Sequence, residues 1–233
     1  MATNGRVGSD RTDRSPKLLY LNISLDLSIV LFVDDSLRVR KKRERRDAIL
    51  DAFATALENR GIESISMDEI ALAVDTSRAT IFNYFSTKTE IVFSIADREI
   101  ELLESFVAAS ANVTALDLIK EVMYRLVSTT FANPRVGWRV LKTVLNDPTR
   151  TDSPVRRLGR SLERLIRDGQ ATGELRNTLD VSSCARSILG TFLAELFSHA
   201  ADPGSNRTIS RDEFESVANQ LVMQWSAPEA VGR

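Results

Sequence analysis

The stretch that decides the fold is SMDEIALAVDTSRATIFNYFSTK, residues 66–88, which reads as two short helices around a tight turn. Ser66 is followed three residues later by Glu69, a capping box in which the Ser66 hydroxyl takes the N–H of Glu69. The apolar period then stops at residues 75–77, and Ser77 is placed to cap a second helix. This order predicts a helix-turn-helix.

The second predicted helix has an apolar side and a mixed side. At 100° per residue, Ile81 and Phe85 share the apolar side. Amides and hydroxyls read base edges in a DNA major groove, methyl and ring carbons contact the thymine methyl group, and Tyr hydroxyls reach phosphates. The candidate DNA contacts here are Ser77, Arg78, Ala79, Thr80, Phe82, Asn83 and Tyr84. An ordinary helical hairpin in an all-α core is the alternative. The two helices alone do not distinguish it from a DNA-binding helix-turn-helix, but the flanking sequence does.

Residues 43–91 resemble the N-terminal domain of TetR-family transcriptional regulators. The resemblance rests on DAILDAF from Asp47, a stop at Gly61, ISMDEIA from Ile65, and TIFNYFSTKTEI from Thr80 to Ile91. The last string matches the family pattern of threonine, apolar, aromatic, any residue, aromatic, Phe and then small-small-Lys-x-x-apolar. Asp75 stands where the family usually has Gly, and we expect strain there without loss of function, because Asp adopts a left-handed conformation at some cost.

The resemblance implies an all-α fold with two domains. Residues 38–88 would form a three-helix helix-turn-helix DNA-binding domain, and residues 89–233 a helical effector-binding and dimerisation domain. The implied function is a homodimeric repressor that binds a palindromic double-stranded DNA operator and is released by a small apolar or amphipathic effector. The resemblance also implies that Lys88 contacts a DNA phosphate, as the lysine at this position of the motif usually does in the family. The long helix that contains Lys88 would join the two domains.

Composition and charge fit such a protein. Six prolines and ten glycines in 233 residues interrupt the 3.6-residue periodicities only rarely, which favours an all-α fold. The net charge is −1, but basic residues concentrate at 38–46, just ahead of a first helix expected from about Arg43 to Arg60. Such a run would track phosphates, with Lys42 and Arg46 as candidate contacts. A merely solvated charged segment is the alternative.

Several classes of site are excluded by residue types. Cys184 is the only cysteine and His199 the only histidine. An intrachain disulfide and a Cys/His metal cluster are therefore impossible, which excludes a zinc site and favours a reducing cytoplasm. The sequence has no phosphate-cradling Gly loop, no Gly-x-Ser-x-Gly elbow and no second histidine for a relay, so we expect neither an enzyme nor a cofactor.

Residues 1–37 are expected to be disordered or a misassigned N-terminal extension. Every odd position from Leu19 to Val33 is apolar, which is strand periodicity in a chain that offers no other strand. Asp26 lies at the centre of this run, which is too short and too polar to span a membrane. Translation from a later start such as Val39 would explain the segment.

The last two predicted helices, near residues 180–201 and 210–226, are apolar over a wide arc. Such helices can bury one side in their own domain and the other against a second copy of the chain. The candidate dimer interface comprises Leu189, Phe192, Leu196, Phe214, Leu221 and Trp225. A thicker monomeric core is the alternative.

Aromatic side chains of the middle helices are candidates for an effector cavity, because small-molecule sites are mostly apolar with a few polar anchors. They are Phe106, Tyr124, Phe131, Trp138 and Phe192. Plain core packing is the alternative for each. Two other functions also stay open: an all-α small-ligand-binding protein, and a constitutive DNA-binding protein without an inducible switch.

Overall fold

The computed structural model describes residues 37–147, 150–151, 153–200 and 211–226. The strand-like pattern predicted between Leu19 and Val33 lies outside these residues. So do the side chains of three predicted site residues within helices, Phe131, Leu196 and Phe214.

The described part of the chain is built from helices and contains no β-strand, which confirms the all-α prediction. The α-helices are α1 (Leu37–Asn59), α2 (Met67–Ala73), α3 (Arg78–Tyr84), α4 (Lys88–Ala109), α5 (Ala115–Ala132), α6 (Pro134–Leu145), α7 (Pro154–Ala171), α8 (Val181–Ala200) and α9 (Arg211–Val222). Short 3-10 helices lie at Ile62–Ser64 and Met223–Trp225.

Helices α1, α2 and α3 form a small head around a core of fully buried aliphatic and aromatic side chains. Phe53 of α1, Ile70 of α2 and Ile81 of α3 each have 1% or less of their surface exposed. The first helix begins at Leu37, six residues earlier than predicted, so the basic run at 38–46 forms the first turns of α1 and does not precede it. Lys and Arg are good helix formers, which explains the extension.

Helix α4 connects the head to the rest of the molecule, as predicted. Its first turns bury Ile91 and Val92 completely, and its later turns place Ile100 and Leu103 in a second core. That core is shared by α4, α5, α7, α8 and α9, which form the body. One helix therefore contributes side chains to both cores.

Head and body also contact each other through α6. Arg139 of α6 donates a hydrogen bond to the carbonyl oxygen of Leu57, near the end of α1. Asn133, the N-cap of α6, donates through Nδ2 to Glu58 Oε1 at 3.0 Å. The last turn of α1 is therefore held by side chains of α6 and of its N-cap.

The body core corrects part of the predicted dimer interface. Trp225 is 5% exposed and Phe192 is 9% exposed in the single chain, and both belong to the core of the body. The Trp225 carbonyl also accepts a hydrogen bond from the Arg176 N–H at 3.0 Å. Both side chains are used within one chain and leave little surface for a second copy, whereas Leu189 and Leu221 are half-buried at the edge of that core.

Candidate DNA interface and effector cavity

The caps of the helix-turn-helix differ in detail from the prediction. Ser66 Oγ accepts from the N–H of Asp68 at 3.2 Å and not from that of Glu69. The Glu69 carboxylate pairs with Arg60, whose hydrogen bond is the main reason for its lowered pKa. Ser77 Oγ accepts from the Thr80 N–H at 3.1 Å, which confirms the predicted cap of α3.

The turn between α2 and α3 contains the expected strained residue. Asp75 has φ 49°, in the left-handed region that glycine adopts without a steric penalty. The Thr76 N–H, next along the chain, donates to the Ala71 carbonyl at 2.9 Å and closes the end of α2. Asp75 therefore takes the conformation that the family's usual glycine would take.

Helix α3 turns its apolar side inwards and leaves a mixed side exposed. Ile81 and Phe85 are 0% and 2% exposed, whereas Phe82 is 42% exposed and Ala79 and Asn83 are also exposed. Thr80 and Tyr84 are half-buried at the borders of this face. The exposed side of α3 carries the amide, methyl and ring groups that can contact base edges.

Arg78 begins α3 and is fixed by two contacts. Its guanidinium pairs with Asp68 at 3.0 Å and lies over the Phe82 ring, 5.5 Å from the ring centroid. Both partners are solvent-exposed, so the ion pair contributes little to stability. Ser77 is exposed beside it, and its Oγ lies 2.9 Å from Thr80 Oγ1.

Lys88 has a structural role that its sequence position did not predict. Its ammonium group donates to the carbonyl oxygens of Ile62 and Glu63, at 3.3 and 2.9 Å, and the side chain is half-buried. These carbonyls belong to the 3-10 helix between α1 and α2. In this structure Lys88 ties the start of α4 to that connection and is directed to the protein backbone.

Lys42 is exposed and Arg46 is half-buried on α1. Lys42, Arg46 and Leu50 follow one another at four-residue spacing along one face of α1. The Arg46 guanidinium lies over the Phe85 ring, 5.5 Å from the ring centroid. Lys42 and Arg46 both line an open cleft of about 960 Å³ between α1, α4 and α7, called the basic cleft below. Its walls also include Arg43, Asp47, Arg98, Glu101, Leu102, Glu104, Arg157 and Arg164.

A second cavity of about 310 Å³ lies inside the body, between α4, α5 and α7, and is called the effector cavity below. Its lining is mostly aliphatic: Ile100, Leu103, Val107, Ala108, Val122, Leu158, Leu162 and Leu165. Polar groups are contributed by Glu104, Ser161, Arg164 and Asp168. The volume is at the lower end of the range typical of small-molecule sites.

Four of the five aromatic side chains predicted to line an effector cavity, those of Phe106, Tyr124, Trp138 and Phe192, do not line this cavity, and the fifth, Phe131, lies outside the described side chains. Phe106 is covered by the Arg125 guanidinium, 4.0 Å from its ring centroid, and Trp138 packs edge-on against Phe197 at 5.5 Å. Phe192 and Tyr124 pack in or against the body core. Large rings fill space where helices meet, so the space left open is lined by smaller aliphatic side chains. The signal that could have located it is the 3–4-residue spacing of Ile100, Leu103 and Val107.

Glu104 lies where the two cavities meet. Its carboxylate accepts from Arg157 Nη2 at 2.5 Å and from Ser161 Oγ at 2.6 Å. Burial by itself would raise the pKa of Glu104, but the hydrogen bonds from Arg157 and Ser161 lower it overall. Glu104 is therefore held as a carboxylate that positions Arg157.

The described residues contain neither a candidate metal site nor a helix suited to span a membrane. No group of three His, Cys, Asp or Glu side chains there is arranged to hold a metal ion. None of the helices in those ranges is both long enough and apolar enough to cross a membrane. Cys184 is buried, and burial raises the pKa of its thiol.

Known proteins resemble this chain in sequence and in fold. Residues 49–95 match the model of the bacterial regulatory proteins, tetR family. The HTH-type transcriptional repressor KstR of Rhodococcus jostii (strain RHA1) is 23% identical over 190 residues, which cover 82% of this chain and 85% of KstR.

Two solved structures share the architecture. FadR of Thermus thermophilus, a TetR-family transcriptional repressor in complex with lauroyl-CoA, gives a TM-score of 0.60 at 22% identity, over 81% of this chain and 98% of that chain. FadR of Bacillus subtilis in complex with stearoyl-CoA gives 0.59 at 19% identity, over 75% and 96%. At these identities the likeness shows the fold.

The family model aligns with most of the head and the start of α4, and the sequence likeness to KstR continues through the body. The exposed side of α3 presents the groups that a DNA-reading helix needs. Over residues 49–95 the chain matches the tetR family of bacterial regulatory proteins, and its similarity to KstR over most of its length supports a DNA-binding transcriptional regulator of that type.

Proposed function

We propose that this regulator is a homodimeric repressor that binds a palindromic operator and leaves it when a small amphipathic effector enters the effector cavity. The observation that carries the proposal is the uneven burial of α3, in which Ile81 is 0% exposed while the neighbouring Phe82 is 42% exposed. A recognition helix needs such an arrangement, because its inner side must anchor it while its outer side enters the major groove.

A second copy of the chain is supported by the surface of α8. Phe197 is 54% exposed, and Leu189 and Leu193 on the same helix are half-buried at the edge of the body core. Burying such apolar surface in a two-fold interface removes it from water and is the usual way in which soluble homo-oligomers form. Two copies of α3 related by a two-fold axis would read half-sites about 34 Å apart or a multiple of that distance.

An acyl chain is the apolar part of the effector that we propose. The effector cavity is lined mainly by aliphatic side chains, with polar groups from Glu104, Ser161, Arg164 and Asp168. Two structures with the same fold are complexes with lauroyl-CoA and stearoyl-CoA. An aliphatic chain would contact Ile100, Leu103 and Val107, all on α4.

The same helix explains how the effector releases DNA. Lys88 and Ile91, at the start of α4, hold the head, whereas Ile100 and Leu103 line the cavity. A ligand that displaces the later turns of α4 therefore changes the position of α3 relative to its copy in the dimer. The coupling is reciprocal, so DNA must weaken effector binding by the same factor by which the effector weakens DNA binding.

The test is protection of the DNA that flanks the protein's own gene, probed with the purified full chain. We expect protection of an inverted repeat with two chains per repeat, and loss of protection on addition of a fatty acyl compound that binds the protein. Protection of a single half-site by one chain would contradict the dimer, and protection unchanged by a bound acyl compound would contradict the effector switch.

A further inference from the structure

We propose that the basic cleft binds a polyanionic head group, with two or more phosphates, of the same ligand whose apolar part occupies the effector cavity. The inference rests on the proposed function, since it assigns the second half of that ligand. Its evidence is separate from that for the acyl chain, because it comes from the charged side chains of the basic cleft and from the residues that the cleft shares with the effector cavity.

The cleft has more positive charge than its own carboxylates can neutralise. Six basic and three acidic side chains line it. Glu101 and Glu104 both pair with Arg157, at 3.2 and 2.5 Å. Arg98 pairs with Asp51, a residue outside the lining, at 2.9 Å.

Three cations of the lining are left without a carboxylate partner within 4.0 Å in the described part of the chain: Lys42, Arg46 and Arg164. The third acidic residue, Asp47, lies close to Arg98, Arg46 and Arg43, but burial is the larger effect and raises its pKa. Cations gathered in one concave surface repel each other and attract an anion, and arginine is the side chain best suited to phosphate.

The positions of these cations indicate more than one phosphate. Lys42 and Arg46 lie on the α1 wall of the cleft and Arg164 lies on the α7 wall. A single carboxylate, such as that of a free fatty acid, would satisfy one wall only. A diphosphate or larger group can contact both walls at once.

The basic cleft and the effector cavity are adjacent and share part of their lining. Glu104, Ala108 and Arg164 line both. The cleft, at about 960 Å³, is about three times as large as the cavity, at about 310 Å³. A ligand with a slender apolar tail and a bulky anionic head matches this combination, with Arg164 at the junction.

The head group would act on the DNA-binding head directly. Lys42 and Arg46 belong to α1, and Arg46 also packs on Phe85, which anchors α3. An anion bound between these residues and Arg164 would join α1 to α7 and fix the angle between head and body. The tail supplies affinity, and the head group supplies the restraint on α1.

The test uses inorganic tripolyphosphate as the probe, with calorimetric titration of the full chain at constant ionic strength. We expect saturable binding of one tripolyphosphate per chain. Arg46→Gln and Arg164→Gln should each weaken it about tenfold, because each removes one charge-assisted contact. The matched controls are Arg45→Gln on α1 and Arg167→Gln on α7, exposed arginines that do not line the cleft, and both should bind as the unmodified chain does.

Dodecanoate, titrated into the same proteins, separates the two proposals. We expect Arg46→Gln to leave dodecanoate affinity unchanged while it weakens tripolyphosphate. Failure of dodecanoate to bind, with tripolyphosphate behaving as expected, would remove the acyl effector and leave the cleft assignment. Absence of saturable tripolyphosphate binding, or equal losses in the cleft variants and their controls, would overturn the assignment. Unfolding curves of all four variants, coincident with that of the unmodified chain, ensure that a loss reports on the cleft.

Discussion

Lys88 Nζ donates a hydrogen bond of 2.9 Å to the carbonyl oxygen of Glu63, and so joins the first turn of α4 to the connection between α1 and α2. The residue that sequence resemblance assigns to a DNA phosphate therefore stabilises the head of the free protein. A phosphate would have to compete with two backbone carbonyls, since Ile62 O also accepts from Lys88 at 3.3 Å.

Lys88→Met should lower the free energy of unfolding by roughly 1–2 kcal/mol, because two carbonyls lose a charged donor while the aliphatic stem is kept. Urea denaturation followed by circular dichroism measures it. Lys142→Met, at an exposed position of α6, is the control and should change little. Equal stability of the two variants would show that the contacts of Lys88 contribute nothing to folding.

Asp75→Gly should raise the free energy of unfolding by up to about 1 kcal/mol, because Asp75 is held at φ 49° and glycine adopts this conformation without a clash. Thermal denaturation is sufficient to detect the change. A lower melting temperature would mean that the Asp75 side chain stabilises the turn by more than the strain costs.

Gly137→Ala should destabilise the protein by about 1–3 kcal/mol, since the added methyl group would meet Thr130 Cγ2 and the Thr130 carbonyl oxygen at 2.5 Å. Gly159→Ala is the matched control in another helix. There the new methyl group would lie 3.8 Å from Leu189 Cδ1, an ordinary contact, and higher helix propensity should stabilise by up to about 1 kcal/mol. Effects of the same sign in both variants would contradict the packing of α6 on α5.

Glu104 and Glu99 should give stability profiles of opposite sign with pH. The folded-state pKa of Glu104 lies below the ordinary glutamate value of 4.5, so its stabilising effect is present above that pH and is lost as the pH falls through the folded-state pKa. Burial raises the pKa of Glu99, so ionisation of Glu99 costs stability as the pH rises above 4.5. At pH 7, roughly two units above the ordinary pKa of glutamate, both unfolded-state carboxyls are ionised. Glu104→Gln should then lower the free energy of unfolding, and Glu99→Gln should raise it. Urea denaturation at a series of pH values from about 4 to about 7 measures both effects. A shift of the unfolding free energy in the same direction for both variants would contradict the opposite pKa shifts of Glu104 and Glu99.

The helices and the helix-turn-helix were predictable because their signals are local. Ser77 caps α3 as expected, and the apolar spacing of Ile81 and Phe85 was sufficient to tell the buried side from the exposed one. The sequence also predicts that Lys42 and Arg46 lie on the same face of α1 as the buried Leu50, because the three residues have four-residue spacing. The positive charge of these two residues suggested contact with solvent or with DNA. The cleft that they line is visible only in the folded chain, because its other walls are formed by α4 and α7.

The effector cavity was not predictable from residue type. Aromatic rings such as Trp138 and Phe106 found partners in Phe197 and Arg125, and the open space remained between aliphatic side chains of three helices. Where helices fail to close depends on their mutual angles, which composition and periodicity do not determine. The partner of Lys88 was missed for a similar reason, because Glu63 lies 25 residues earlier in the chain.

The central claim is that the exposed side of α3 reads DNA sequence. It is tested most directly by fluorescence anisotropy of the protected inverted repeat and of a scrambled duplex, with the unmodified chain and Asn83→Ala. Asn83 is exposed on α3, so its removal should weaken binding to the repeat by about 1–3 kcal/mol and leave binding to the scrambled duplex nearly unchanged. Unchanged affinity for the repeat, or an equal loss on both duplexes, would contradict the claim.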